Sequence, residues 1–207
     1  MKNKILRRAL TGSVIVSVII GATVYSSLTA SILWVVVSLG ALYELFTNKM
    51  GGILGALYIL VAGAATHSIG YLNGEYDSWL TISLFTAIWT NDTMAYLGGT
   101  ALGRKLFGRG LAPSISPKKS WEGTIIGAAF AGLIGYLWYG ELGIALGVLV
   151  GALATASDLI ESAAKRKVGI KDSGTIFPGH GGVLDRFDSL GLTAPMIIIV
   201  VIIYRML

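Results

Sequence analysis

Apolar stretches alternate with short polar ones along the whole chain. Mostly apolar runs occupy roughly 9–25, 28–46, 52–68, 79–97, 123–139, 142–164 and 189–206. A helix needs about 20 such residues to cross a bilayer, within a range of about 17–25. No open strand can satisfy its backbone in lipid, so each run is predicted to be a spanning helix. The breaks at Ser26–Ser27 and Gly140–Glu141 are so short that the helices flanking each must pair as a hairpin. Many of the 28 glycines fall inside the runs, where small residues let helices approach closely. The fold class expected is an all-α integral membrane protein of about seven transmembrane helices. Residues 1–207 form a single polytopic domain. Residues 1–78 carry no recognisable motif, and 79–207 hold the polar loops and the chemistry.

Composition agrees with a membrane domain. Charged residues make up 13% of the chain, against about 25% in a soluble protein. There is no cysteine and there are only two histidines, which excludes a disulfide framework and a thiolate metal site. Lys2, Lys4, Arg7 and Arg8 precede the first apolar run, as in a signal peptide. No small-x-small cleavage site follows, since Leu28 sits two residues before Ala30, so the run is read as a retained first helix.

Charge placement predicts orientation. With the N-terminus in the cytoplasm and seven crossings, the cytoplasmic regions are 1–8, 47–51, 98–122 and 165–188. These hold all of the 16 Lys and Arg residues except Arg205, as the positive-inside rule requires. The formal net charge of +5 suits an anionic partner: lipid headgroups, a phosphorylated substrate, or both. Nucleic acid is not implied, because the basic residues sit in short loops between apolar runs.

The candidate chemistry lies at that same face. Asp92, Asp158 and Glu161 fall inside spans, near their cytoplasmic ends, and Asp185 and Asp188 immediately precede the last span. Ionisable residues within a membrane face the bundle interior and mark function. Glu161, four residues before Lys165, reads as a structural ion pair. Asp158, Asp185 and Asp188 read as metal ligands, because oxygen donors without cysteine or paired histidine suit a hard cation such as Mg²⁺. Asp158, Ser162 and Lys165 share one helical face at i, i+4 and i+7. Neighbouring lysines would neutralise phosphate oxygens beyond the metal's reach.

Two loops add phosphate-binding candidates. The run Pro178, Gly179, His180, Gly181, Gly182 cannot be regular helix, and its amides can form an anion nest or a plain turn. Ser116, Lys118, Lys119, Ser120 and Glu122 surround a helix start, a favourable place for an anion. The alternative is an ordinary basic loop against headgroups, the reading given to Arg104, Lys105 and Arg109. His67 reads as an interfacial residue at the outer end of a span.

These residues resemble a known family. Ser162, Lys165 and Arg166, then Lys171 and Asp172, then Pro178 to Gly182, then Asp185, Arg186 and Asp188 are similar to the signature of the phosphatidate cytidylyltransferases. Asp92, Thr93, Ala95 and Tyr96 and the run Ser116 to Gly123 resemble the family as well, so the likeness spans about the C-terminal 120 residues. Members of that family are commonly longer, with extra N-terminal spans. The resemblance implies transfer of a cytidylyl group from CTP to phosphatidate with Mg²⁺, giving CDP-diacylglycerol and diphosphate. It leaves room for a second metal or a monovalent cation such as K⁺, and for a homodimer. Asp158, Lys165, Lys171, Asp172, Asp185 and Asp188 would be catalytic. Asp92, Ser116, Lys118, Lys119, Ser120, Glu122, Ser162, Arg166, His180, Gly181, Gly182 and Arg186 would bind substrate. The location expected is a prokaryotic inner or plasma membrane, with the N-terminus and the site cytoplasmic. The rivals are a CTP-dependent cytidylyltransferase or kinase acting on an archaeal ether lipid or a polyprenol, and, remotely, an ion-coupled transporter. A transporter would have two related halves and a midplane site, whereas here no repeat is visible and the charges gather at one leaflet.

Overall fold

The computed structural model describes residues 2–206 and is dominated by long helices. The side chains of Lys2, Lys4 and Arg8, counted above in the basic flank, lie outside the described residues. Helix α1 spans Lys2–Tyr25, α2 Ser27–Thr47, α3 Gly52–Ile69 and α4 Ser78–Leu102. A short antiparallel hairpin follows, β1 (Gly110–Ala112) paired with β2 (Ser116–Ser120). Then come α5 (Trp121–Lys167), the four-residue α6 (Leu184–Phe187) and α7 (Leu190–Met206).

The caps follow local chemistry. Ser26 accepts a hydrogen bond from the Thr29 amide, and Thr29 Oγ1 accepts one from the Ser26 amide, a reciprocal box that starts α2. Asp77 caps α4 through the Trp79 amide. Ser120 caps α5 through the Gly123 amide at 3.2 Å.

Helix α5 holds the two runs predicted as a hairpin. Its 47 residues bend at Gly140, whose φ of 65° and ψ of −146° are not helical and are open to glycine. The arms, 121–139 and 141–167, fold back on each other. A Cβ on Gly135 would lie 1.9 Å from the Gly143 carbonyl oxygen, and one on Gly147 would lie 2.1 Å from that of Ala131. Only glycine permits that approach.

Four helical stretches among the described residues are long and apolar enough to cross a membrane: Ser27–Thr47, Gly52–Ile69, the bent Trp121–Lys167 and Leu184–Met206. The seven expected spans do not all meet that measure, for two reasons. The apolar part of α1 is confined to Ala9–Tyr25. Helix α4 carries the polar pair Asn91 and Asp92 midway along its length. The loop expected over 98–122 is shorter and more ordered than the hydropathy pattern implies, because α4 continues to Leu102 and the β-hairpin fills the rest.

The core lies between the helices. Trp34 of α2 stacks on Phe85 of α4 with ring centroids 5.6 Å apart, and meets Phe187 of α6 edge-on at 5.9 Å. Phe187 stands between Asp185 and Asp188, so this aromatic contact sets the depth of both. A second cluster, with Ala41, Leu45, Met50, Ile59 and Val183 at its centre, packs the glycine-rich segment onto α2 and α3.

Candidate active site

A cavity of about 550 Å³ opens between α1, α4, β2, α5 and the segment 180–189. Asp92, Lys118, Lys119, Ser120, Asp158, His180, Asp185, Arg186 and Asp188 all line it. Four of these nine are acidic residues and three are lysine or arginine. Apolar residues line it as well: Ile15, Val16 and Ile19 of α1, with Phe85 and Trp89 of α4.

Three carboxylates gather at the cavity's edge, two of them (Asp158 and Asp188) lining it. Oxygens of Asp158, Glu161 and Asp188 lie within 4.8 Å of one another. Lys119 forms an ion pair with Asp158 Oδ2, and Ser162 Oγ donates to Asp158 Oδ1 at 3.1 Å. The Ser189 amide donates to Asp188 Oδ1 at 2.7 Å. Lys165 is buried and bridges two acids, with its Nζ 2.5 Å from Glu161 Oε2 and 2.6 Å from Asp185 Oδ1.

The expected metal set of Asp158, Asp185 and Asp188 is regrouped here. Asp185 Oδ1 takes the Lys165 ammonium, and Oδ2 accepts from the amides of Ser173 and Gly182, each at 2.8 Å. Glu161 joins Asp158 and Asp188 in its place. The i, i+3 spacing of Asp185 and Asp188 promised a shared face, and the backbone stays helical through Asp188 (φ −54°, ψ −38°), yet the two side chains take different partners. Asp185 binds the amides of Ser173 and Gly182, and Asp188 lies beside Asp158 and Glu161 of α5.

The glycine run does hold an anion, but the anion is the protein's own. Gly181 has φ +84°, and a Cβ there would lie 2.4 Å from Asp185 Oδ2. The Gly182 amide is taken by Asp185, and those of Val183 and Leu184 by the Glu44 carboxylate of α2, at 2.8 and 3.0 Å. These amides are therefore not open to a phosphate. Two residues of the other loop also have internal partners. Ser120 caps α5, and Glu122 Oε1 accepts from the amides of Leu106 and Phe107 at 2.9 and 3.0 Å. Arg166 donates to the carbonyls of Ile115 and Ile170, tying the two polar loops together. Of the expected site residues, Ser116, Glu122, Ser162, Lys165, Arg166, Lys171, Asp172, Gly181 and Gly182 do not line the cavity; Lys171 and Asp172 are exposed.

Several contributors had no motif to announce them. Glu44 is a lone carboxylate near the end of an apolar run, 2% exposed. The cost of an ionisable group in a span singles it out by the same rule that finds Asp158. Tyr58 of α3 hydrogen-bonds Ser157 at 2.8 Å, and Ser157 donates to the Asp188 carbonyl. No sequence pattern marks that pair, nor the α1 wall.

Fold and site together define a helical membrane protein with a metal-competent acidic cluster and phosphate-sized basic groups beside an apolar wall. The chain matches the Cytidylyltransferase family over residues 49–204. Among curated proteins it is 39% identical to the phosphatidate cytidylyltransferase of Rickettsia typhi, over 94% of this chain and 91% of that protein. It is 36% identical to the enzyme of that name from Rickettsia bellii, over 95% and 90%. It is 35% identical to the one from Synechocystis, over 86% and 73%. The chain belongs to the cytidylyltransferase family.

Proposed function

We propose that this protein is a membrane-embedded nucleotidyltransferase that makes CDP-diacylglycerol and diphosphate from CTP and phosphatidate. The observation that carries this reading is one cavity lined both by acidic and basic side chains suited to a metal-bound nucleotide and by apolar residues of α1 and α4 suited to acyl chains.

A phosphate oxygen of phosphatidate attacks the α-phosphorus of CTP. The bond from that phosphorus to the bridging oxygen breaks, and diphosphate leaves. The nucleophile is already an anion near neutral pH, so no strong general base is needed. Catalysis rests on positioning and charge neutralisation.

Asp158, Glu161 and Asp188 fit a divalent cation, Mg²⁺ by the hardness of their oxygens. Bound there, Mg²⁺ would neutralise phosphate charge and orient the α-phosphate. Lys119, Lys118 and Arg186 face the triphosphate from the cavity rim. Lys165 holds Glu161 and Asp185 in place. Asp92 lines the same cavity as Asp158. The site faces the cytoplasm, the compartment of CTP, and the lipid enters sideways from that leaflet.

The test is an assay of purified protein with CTP labelled at the α-phosphate, Mg²⁺ and a panel of lipid phosphates. Label should enter a CDP-lipid with phosphatidate, with one diphosphate released per turnover. Preference for an ether-lipid or polyprenyl phosphate would assign the chain to that substrate. Absence of any labelled lipid from folded protein would overturn the reading.

A further inference from the structure

Glu44 lies in the motif-free N-terminal part, outside the matched segment 49–204, yet it sits at the centre of the glycine-rich loop. Its carboxylate is 2% exposed and accepts three hydrogen bonds from that loop. The donors are the Val183 amide to Oε1 at 2.8 Å, the Leu184 amide to Oε2 at 3.0 Å, and Ser173 Oγ to Oε2 at 2.8 Å. No Lys or Arg among the described residues forms an ion pair with it within 4.0 Å. A carboxylate taken out of water without a counter-ion needs such donors to remain buried.

The loop is fitted to this one side chain. Cβ atoms on Gly174 and Gly182 would lie 2.5 and 2.3 Å from the Glu44 oxygens, so both positions need the absence of a side chain. Asn48, one turn on along α2, donates to the Ser173 carbonyl at 2.7 Å. Ser173 is thereby held at three atoms. Its carbonyl is held by Asn48 and its hydroxyl by Glu44, while its amide donates to Asp185 Oδ2 at 2.8 Å. From Asp185 the contacts continue to Lys165 at 2.6 Å and on to Glu161 at 2.5 Å, a member of the acidic trio.

We infer that Glu44 is a positioning residue for the reaction. It touches neither substrate nor metal, but fixes the loop that aims Asp185 and, through it, Lys165 at the acidic trio. This rests on the proposed cytidylyl transfer, and wild-type activity tests that separately. The direct experiment measures kcat, the KM for CTP, the Mg²⁺ dependence and the melting temperature for wild type, E44Q, E44D, S173A and E44Q/S173A.

The glutamine in E44Q keeps the shape but turns an NH₂ group toward N–H or O–H donors. The expected result is kcat per folded molecule lower by at least about tenfold, from the loss of charge-assisted hydrogen bonds. KM for CTP should stay within about threefold, since Glu44 does not touch the nucleotide. The Mg²⁺ concentration for half-maximal rate should rise. E44D, which retains the charge, should recover part of the loss, and the double variant should lose less than the product of the two single losses, because the two share the Ser173–Glu44 hydrogen bond. Should E44Q fail to fold, S173A alone decides, with a fall in kcat supporting the inference and full turnover overturning it. Unchanged kcat in folded E44Q, or a loss confined to melting temperature, would overturn it while wild-type activity still upholds the function.

Discussion

Oxygens of Asp158, Glu161 and Asp188 come within 4.8 Å of one another, where ionised carboxylates repel by roughly 3 kcal/mol per pair at an effective dielectric constant of about 20. Lys119 and Lys165 offset part of that repulsion through Asp158 and Glu161, and a divalent cation would offset the rest. Lys119 thus pairs with a member of the acidic trio and lines the cavity proposed for the nucleotide. We predict that Lys119→Ala raises the KM for CTP at least about tenfold, as expected for loss of a charged contact to phosphate, and shifts the KM for phosphatidate less. Steady-state kinetics with each substrate varied in turn decide this, and equal shifts would count against a nucleotide role. At this scale the rule that ionisable groups in a span mark function reaches Asp92 and Asp158 directly. It reaches Glu44 as well, once a lone carboxylate at a span end is weighed like the rest. The sequence could not separate Asp185 from Asp188, because three-residue spacing implies one shared face. What separates them is their partners: Asp185 is taken by Lys165 and the loop amides, and Asp188 by the Ser189 amide beside the α5 carboxylates.

Among the elements, the hairpin across Gly140 and the helical runs were legible because hydropathy and chain length decide them. The β-hairpin at 110–120 was not, since three- and five-residue strands carry too little alternation to stand out from a basic loop. The glycine-rich loop was legible as non-helical but not in its purpose. Its positive φ values suit a phosphate nest, and nothing local shows that α2 supplies the anion instead. One consequence can be measured. Gly181 has φ +84° and faces Asp185 Oδ2, so Gly181→Ala combines backbone strain with a displaced carboxylate. A loss of about 1–3 kcal/mol in stability is expected, together with lower turnover per folded molecule. Thermal melting and specific activity on the same samples check it, and a variant with both unchanged would refute the tight loop.

In the whole molecule, Arg166 ties the two polar loops together, and the charge pattern predicts that this end faces the cytoplasm. The chain has no cysteine, so single introduced cysteines report topology on a clean background. Thr175 and Glu75 are exposed, which suits them to the purpose. In intact cells, Glu75→Cys should react with an impermeant thiol reagent and Thr175→Cys should not; the reverse pattern would invert the orientation. The central claim is cytidylyl transfer at the acidic trio, and Asp188→Asn tests it most directly. The measurement follows label from the α-phosphate of CTP into lipid as Mg²⁺ is titrated, for wild type and for Asp188→Asn matched in melting temperature. Wild type should form CDP-diacylglycerol only with the metal, and the variant should lose at least about a hundredfold in kcat, as expected when a metal carboxylate is removed. Metal-independent transfer by wild type, or wild-type turnover by Asp188→Asn, would contradict the account.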